Sequence, residues 1–380
     1  MSLPKAAYAA MFSSALFYSP ILIAEPSEDS WFDNLLTDLG SSETVDESKL
    51  VDWGVLPGPF VNPEQGFGIG VAAVGLYTPY DWQQDDPYST LTLTSYASTS
   101  GSYGLGVNNR TYLRHDTLRL LGEAWISHTP GYYWGIGRHA AENDDQKIQY
   151  QGQRVQFSPK IAVEIFPDTY AKFGWQYQSY RDVKGVDGDR LPVEMLSSSA
   201  LVSSGALVGL EYDSRDFEPN PARGQLIDIE WIANRDSFGS DNGYDNIVAN
   251  IRHYQPWSTA TIIAMEVYSQ SIIGDAPWFD YAQLGDDQRM RGYYQGQYRD
   301  KHQISTQIEL RHTVSGRHGV VAWLGGGNVA SSYSQLFESD WLPSVGLGYR
   351  FAFKARINVR IDLGIGKESR GFYFQINEAF

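Results

Sequence analysis

Apolar and polar residues alternate along most of this chain. In "INVRIDLGIG", Ile357, Val359, Ile361, Leu363 and Ile365 share one face, while Asn358, Arg360, Asp362 and Gly364 take the other. "QISTQIELRH" sets Ile304, Thr306, Ile308 and Leu310 against Gln303, Ser305, Gln307, Glu309 and Arg311. "VGLGYRFAF" repeats the rule with Val345, Leu347, Tyr349, Phe351 and Phe353. A period of two marks a strand, because successive side chains leave opposite faces of the pleat. A soluble sandwich alternates too, so one segment decides nothing. Recurrence of about ten-residue segments to the end of the chain is the pattern of a membrane barrel.

The alternation predicts strands over 54–62, 66–77, 88–98, 102–113, 117–127, 149–165, 169–181, 205–214, 223–234, 245–256, 260–273, 301–313, 318–329, 341–353, 356–366 and 371–380, sixteen in all. Pro57 and Pro59 restrict the first to an edge or a strand end. From the third hairpin onward, tight connections (Pro167-Asp168, "PWST", "SGRH", "KA") alternate with long ones. The long ones include "SHTPGYYWGIGRHAAENDD", "DVKGVDGDRLPVEM" and the stretch holding "QRMRGYYQGQYRD". Membrane barrels sort their connections this way, with short periplasmic turns and long outside loops. The fold class is therefore all-β, a transmembrane 16-stranded antiparallel barrel. Its apolar face meets lipid, and Asp228, Glu230, Glu309, Arg311, Arg350, Arg360 and Asp362 face the lumen. Tyr77, Trp231, Trp257 and Trp341, near predicted strand ends, suit the interfacial girdle.

Composition narrows the chemistry. The 380 residues include no cysteine, which excludes disulfides, thiolate metal sites and a cysteine nucleophile. A net charge of −16 without a basic stripe speaks against nucleic acid. The seven histidines show no metal spacing, and no cofactor motif is present. "GFGIGVAAVG" lies inside a strand pattern and lacks the third glycine of a nucleotide loop. No Gly-x-Ser-x-Gly elbow occurs, Ser197–Ser199 and Ser203-Ser204 read as solvated loop, and "DGDR" at 187–190 reads as a polar loop rather than a calcium site. The expectation is a protein that is not an enzyme.

At the N-terminus, "MSLPKAAYAAMFSSALFYSPILIA" has the lysine, apolar run and small residue of a secretory signal, cleaved after Ala24. Residues 25–53 form an acidic periplasmic leader, in which Trp31, Phe32, Leu35, Leu36 and Leu39 fall on one face of a short helix. It reads either as a packed leader or as a plug or docking helix at the periplasmic mouth. Residues 54–380 form the barrel.

Three stretches go beyond a generic barrel: "GLEYDSRDFEPNPARGQLIDIEW", "MRGYYQG", and "VVAWLGGGN" after "STQIELRH". In this order they resemble the barrel domain of the BamA/TamA superfamily of outer-membrane assembly and secretion proteins (the bacterial surface antigen domain). "YYWGIGR" at 132–138 resembles the family's Gly-rich segment after the fifth strand. The resemblance implies that the sixth outside loop folds into the lumen. Arg291 would be the lumen arginine, Gly292 the tight turn and Tyr293 the aromatic beside it, with Glu309 as a wall acid. On the thirteenth strand, Trp323 and Gly327 fit the family pattern, but Gly325 stands where an aspartate belongs, so either Glu309 alone serves or the loop sits differently. Asp213, Arg215, Phe217, Pro219 and Gly224 carry the family turn motif, and Phe380 resembles the terminal aromatic of the insertion signal. Residues 25–53 are too short for the family's periplasmic substrate-binding repeats, which suggests a barrel-only branch.

The resemblance implies residence in the outer membrane of a Gram-negative bacterium, among outer-membrane lipid and lipopolysaccharide, with the barrel-assembly machinery as partner during biogenesis. It implies help in inserting or translocating a protein or lipid client, through a seam between first and last strands. Two other classes stay open, a passive pore or surface receptor and an outer-membrane hydrolase. A protein client and a homo-oligomer are left open as well.

Overall fold

The computed structural model describes residues 31–380 apart from 43, 63–64, 187, 189, 197–199 and 355. The proposed signal, the start of the leader, Ser197–Ser199 and two acids of "DGDR" lie outside the described residues. The first eight barrel strands are β1 (Asp52–Asn62), β2 (Gly66–Tyr77), β3 (Ser89–Ser98), β4 (Tyr103–Leu113), β5 (Leu118–Tyr133), β6 (Ile148–Phe166), β7 (Thr169–Gly185) and β8 (Leu201–Asp213). After β9 (Gly224–Asn234), β10 (Tyr244–Pro256) and β11 (Thr261–Gly274) a loop carries the short pair β12 (Ala282–Leu284) and β13 (Tyr298–Asp300). The wall resumes with β14 (His302–Ser315), β15 (His318–Ala330), β16 (Leu342–Lys354), β17 (Ile357–Ile365) and β18 (Arg370–Ile376). β1–β11 and β14–β18 make one 16-stranded sheet, antiparallel at every pairing and nearly closed.

The alternation resolves into two surfaces. Phe67, Ile69, Leu105, Phe173, Leu210, Leu347 and Leu363 are exposed on the outside, whereas Arg119, Lys172, Glu230, Glu266, Glu309, Arg350 and Asp362 are buried within. An apolar band facing hydrocarbon and a polar interior give each side chain the solvent it prefers. Trp231, Trp257 and Trp341 are exposed near strand ends. The Tyr77 hydroxyl donates to Asn109 Oδ1 at 2.9 Å. Among the described residues no helix is long and apolar enough to cross a membrane.

Four strand boundaries differ from the sequence reading; one is the start of β8 at Leu201 rather than 205, which puts Ser203 and Ser204 in the sheet and buried instead of in solvated loop. β5 runs on to Tyr133 and β7 to Gly185, through segments expected to be loops. β4 stops pairing at Tyr103↔His128, so beyond it β5 pairs only with β6, through Tyr133↔Ile148. An edge there removes the usual penalty of Pro130, because a strand bonded on one side has no second ladder to break. The last strand stops at Ile376 instead of 380. Asn377 adopts φ 68°, which turns the chain out of the sheet.

β1 and β18 are the two ends of the sheet and, among the described residues, share no ladder. The β1–β2 register runs unbroken through Pro57↔Val71 and Pro59↔Ile69. The missing amides of both prolines therefore fall on the edge facing β18. On that edge Val55 donates instead to the leader, to Leu39 O at 2.8 Å. The two ends overlap. Asp362 and Tyr373 are paired and face the lumen, so Phe374 faces outward from β18. Yet a Cβ added to the inward-facing Gly58 of β1 would lie 2.1 Å from the Phe374 ring. The last strand is tucked inside the first.

The leader closes this overlap at the turn-bearing end. Helix α1 (Trp31–Asp38) buries Leu36 against Leu56, Phe353 and Val359, with Leu39 half-buried beside it. Trp31 and Leu35 are exposed, so the apolar face expected to pack as a unit is divided. One short helix beside a narrow cleft can seat only the residues nearest it. Ser42 bridges to Lys354, whose Nζ lies 2.7 Å from Asp52 Oδ2.

Candidate functional site: a loop held inside the barrel

Residues 275–301 between β11 and β14 fold back into the lumen. Trp278 and Phe279 pack among Tyr133 and Tyr150, and the β12–β13 pair braces the base of the loop. At its tip Met290 (φ 49°) and Gly292 (φ 112°) bend the chain sharply around Arg291. The Arg291 side chain is fully buried. Its Nη2 donates to Glu309 Oε2 at 2.6 Å and its Nη1 to Asp362 Oδ2 at 2.6 Å. The guanidinium lies 3.6 Å over the Trp323 ring. A buried guanidinium is tolerated only when anions and hydrogen bonds replace its water, and the aromatic face adds cation–π attraction.

The backbone is fixed as firmly. Ser344 Oγ donates to Arg291 O at 2.7 Å, and Gly292 N donates to the Tyr373 hydroxyl at 2.9 Å. A Cβ on Gly364 of β17 would meet the Arg291 carbonyl carbon at 2.6 Å, so only glycine lets the loop lie directly on the wall. The Tyr293 hydroxyl donates to Pro343 O at 2.7 Å and accepts from Lys367 N at 2.9 Å. Gly137, in the segment after β5, donates to Arg299 O at 2.8 Å and ties the loop to the opposite wall.

Gly325 faces the lumen beside Gln307, and Gly327 beside Ser305 and Leu284. The second carboxylate comes from Asp362 on β17, where nothing in the Gly325 neighbourhood could have shown it. Glu309 therefore does not serve alone. Asp362 also accepts from Arg350 at 2.6 Å and from Arg360 at 3.1 Å. Glu378, past the last strand, accepts from Arg350 at 2.7 Å and lies 3.7 Å from Arg311. One alternating ion network thus joins the loop tip to the tail of the chain.

The turn motif closes the other end of the lumen. Asp213 Oδ1 accepts from Arg215 Nε at 2.8 Å, and Arg119 reaches Asp213 at 3.0 Å and Glu211 at 2.8 Å. Gly224 has φ 102°, and a Cβ there would lie 2.1 Å from Ser214 O. Phe217 packs against the cluster of Val74, Leu76 and Ile357, while Pro219 O accepts from Glu378 N at 3.2 Å. Phe380 is not on the lipid face. It is buried in the lumen against Tyr254 and Ala264, and its backbone oxygen accepts from Arg311 Nη2 at 2.6 Å. Sequence reading missed Glu378 and Arg119 as network members. The inward parity of strand residues marks Arg119, but Glu378 lies beyond any strand and left no periodic signal.

Residues 87–380 match the family model described as the Omp85 superfamily domain. Among solved structures, the chain is similar to BamA from Haemophilus ducreyi lacking POTRA domains 1–3. The TM-score is 0.54 at 13% identity, covering 90% of this chain and 76% of that one. It is also similar to CdiB from Escherichia coli, with TM-score 0.58, 11% identity, and coverage of 88% and 63%. CdiB from Acinetobacter baumannii gives TM-score 0.54, 12% identity, and coverage of 87% and 60%. The chain spans less than two thirds of either CdiB chain. These likenesses concern the fold. No curated protein sequence matches.

Proposed function

Because the chain belongs to the Omp85 superfamily, we propose that it is an outer-membrane barrel that assists insertion or translocation of a client through its seam, as a transport or assembly protein and not as an enzyme. The observation that carries this is the unbonded overlap of β1 and β18, where Pro57 and Pro59 remove two amide donors. Opening a seam without a ladder breaks packing but no row of hydrogen bonds, so it costs far less than parting any other strand pair.

A disulfide tests it. Gly58→Cys paired with Phe374→Cys joins the overlap, and the chain has no other cysteine to interfere. Oxidation should abolish client delivery, read as loss of outer-membrane and surface proteins in quantitative proteomics of the envelope, and reduction should restore it. An unchanged profile with the seam shown to be crosslinked would sink the proposal. For the open-pore alternative, the loop folded into the lumen supports small, fluctuating conductance in planar bilayers; large steady openings would favour the pore. Purified protein is expected to turn over neither phospholipid nor peptide substrates.

A further inference from the structure

The loop-bearing half of the lumen holds a cavity of about 570 Å³, bounded by the β3–β7 wall, the inner loop and the β1–β18 overlap. Besides the exposed Arg370 at the start of β18, two arginines line it, Arg154 of β6 and Arg299 of β13. Among the described residues, neither has a carboxylate within ion-pair distance, in contrast to Arg119, Arg291, Arg311, Arg350 and Arg360. Arg154 Nη2 donates to Gln178 Oε1 at 3.0 Å, but its Nε is buried without a partner, as is Gln178 Nε2 beside it. Arg299 is 2% exposed. Its Nε donates to Gly296 O at 2.8 Å and its Nη1 to Trp278 O at 3.1 Å, both neutral acceptors.

The two guanidiniums share an aromatic platform. Arg154 lies 5.5 Å from the Tyr180 ring centre, Tyr180 packs 5.1 Å from Trp278, and Arg299 lies 5.9 Å from Trp278. The acidic groups nearby are engaged elsewhere. Asp280 accepts the Tyr244 hydroxyl; burial pushes its carboxyl above the ordinary range, against the opposing pull of the Arg154 charge. Asp287 pairs with Arg360, and Asp286 accepts the backbone amides of Gln288 and Arg289. A buried cation without an anion is expensive, and the planar guanidinium fork matches phosphate oxygens. The far side of the cavity carries apolar residues, Leu56 and Phe60 of β1 with Phe372 and Phe374 of β18, interspersed with the polar Arg370, Gln375 and Asn377. That side lies at the unladdered overlap, where, among the described residues, no continuous sheet separates the lumen from the bilayer.

We propose that this cavity binds a phosphate-bearing amphiphile, with the anion between Arg154 and Arg299 and the apolar part along the β1–β18 overlap. This goes beyond client passage and can be tested without it. Native mass spectrometry would be run on the full chain in non-ionic detergent with added dioleoylphosphatidylglycerol. The wild type should retain the lipid, and Arg154→Gln combined with Arg299→Gln should lower retention about tenfold or more, as expected for lost charge-assisted bonds. Arg299 also braces the loop, so Arg154→Gln alone is the second variant, with heat-modifiable gel migration as the check on folding. It should lose retention several-fold, and Arg154→Lys should recover part of it. Equal retention by wild type and both variants overturns the proposal. Displacement of the lipid by an equal concentration of inorganic phosphate overturns it in favour of a soluble phosphate ligand.

Discussion

Arg291 and Arg299 belong to one loop inside one barrel, yet their surroundings are opposite. Arg291 meets two carboxylates at 2.6 Å and an indole face. Arg299 meets carbonyl oxygens and aromatic rings, and its side of the lumen is hollow. The paired side fixes the loop to the β14–β17 wall. The unpaired side leaves positive charge facing a cavity that reaches the seam. Burial alone therefore does not tell an arginine's role; what neutralises it does.

The largest effect that would break the comparison is expected from Arg291→Ala. It leaves Glu309 and Asp362 buried beside other cations but without the loop, and should weaken loop anchoring by about 3–5 kcal/mol. Limited proteolysis should then cut within 275–301, and identical cleavage of wild type and variant would refute the anchoring role. Gly364→Ala comes next, because its methyl would press on the Arg291 backbone at 2.6 Å. A loss of about 1–3 kcal/mol is expected, seen as faster cleavage of the same loop with all charges intact. Trp323→Leu removes only the face under the guanidinium and should cost about 1–2 kcal/mol, measured as a lower unfolding temperature of the detergent-solubilised barrel. The smallest effect sharpens the contrast: Arg154→Gln should leave loop protection within about 0.5 kcal/mol of wild type, because no ion pair is lost.

Much of this was legible in the chain. "QISTQIELRH" and "INVRIDLGIG" place Glu309, Arg311, Arg360 and Asp362 on the inner face by parity, and the structure buries all four. The sixteen strands follow from the same rule. The partner of Arg291 was only half visible. Glu309 lies 18 residues away in sequence, but Asp362 lies 71 away on a strand that no local pattern connects to the loop. The extended β5 and β7 were hidden because Pro130 and the glycines around it look like loop wherever a second neighbouring strand is assumed. The aromatic strand pattern runs to Phe380, but the turn at Asn377 that carries it into the lumen has no periodic signature.

The strands, the side each residue faces and the sorting of short and long connections follow from the chain alone, because they depend on a two-residue period and on turn chemistry. Which inward charges meet, which arginines go unpaired and how the two end strands overlap emerge from the folded barrel. Those depend on the register accumulated around the whole wall and on the path of one loop through a closed space. A few residues of stagger, summed over the barrel, place Asp362 against Arg291 and leave Arg154 and Arg299 without a carboxylate at ion-pair distance among the described residues.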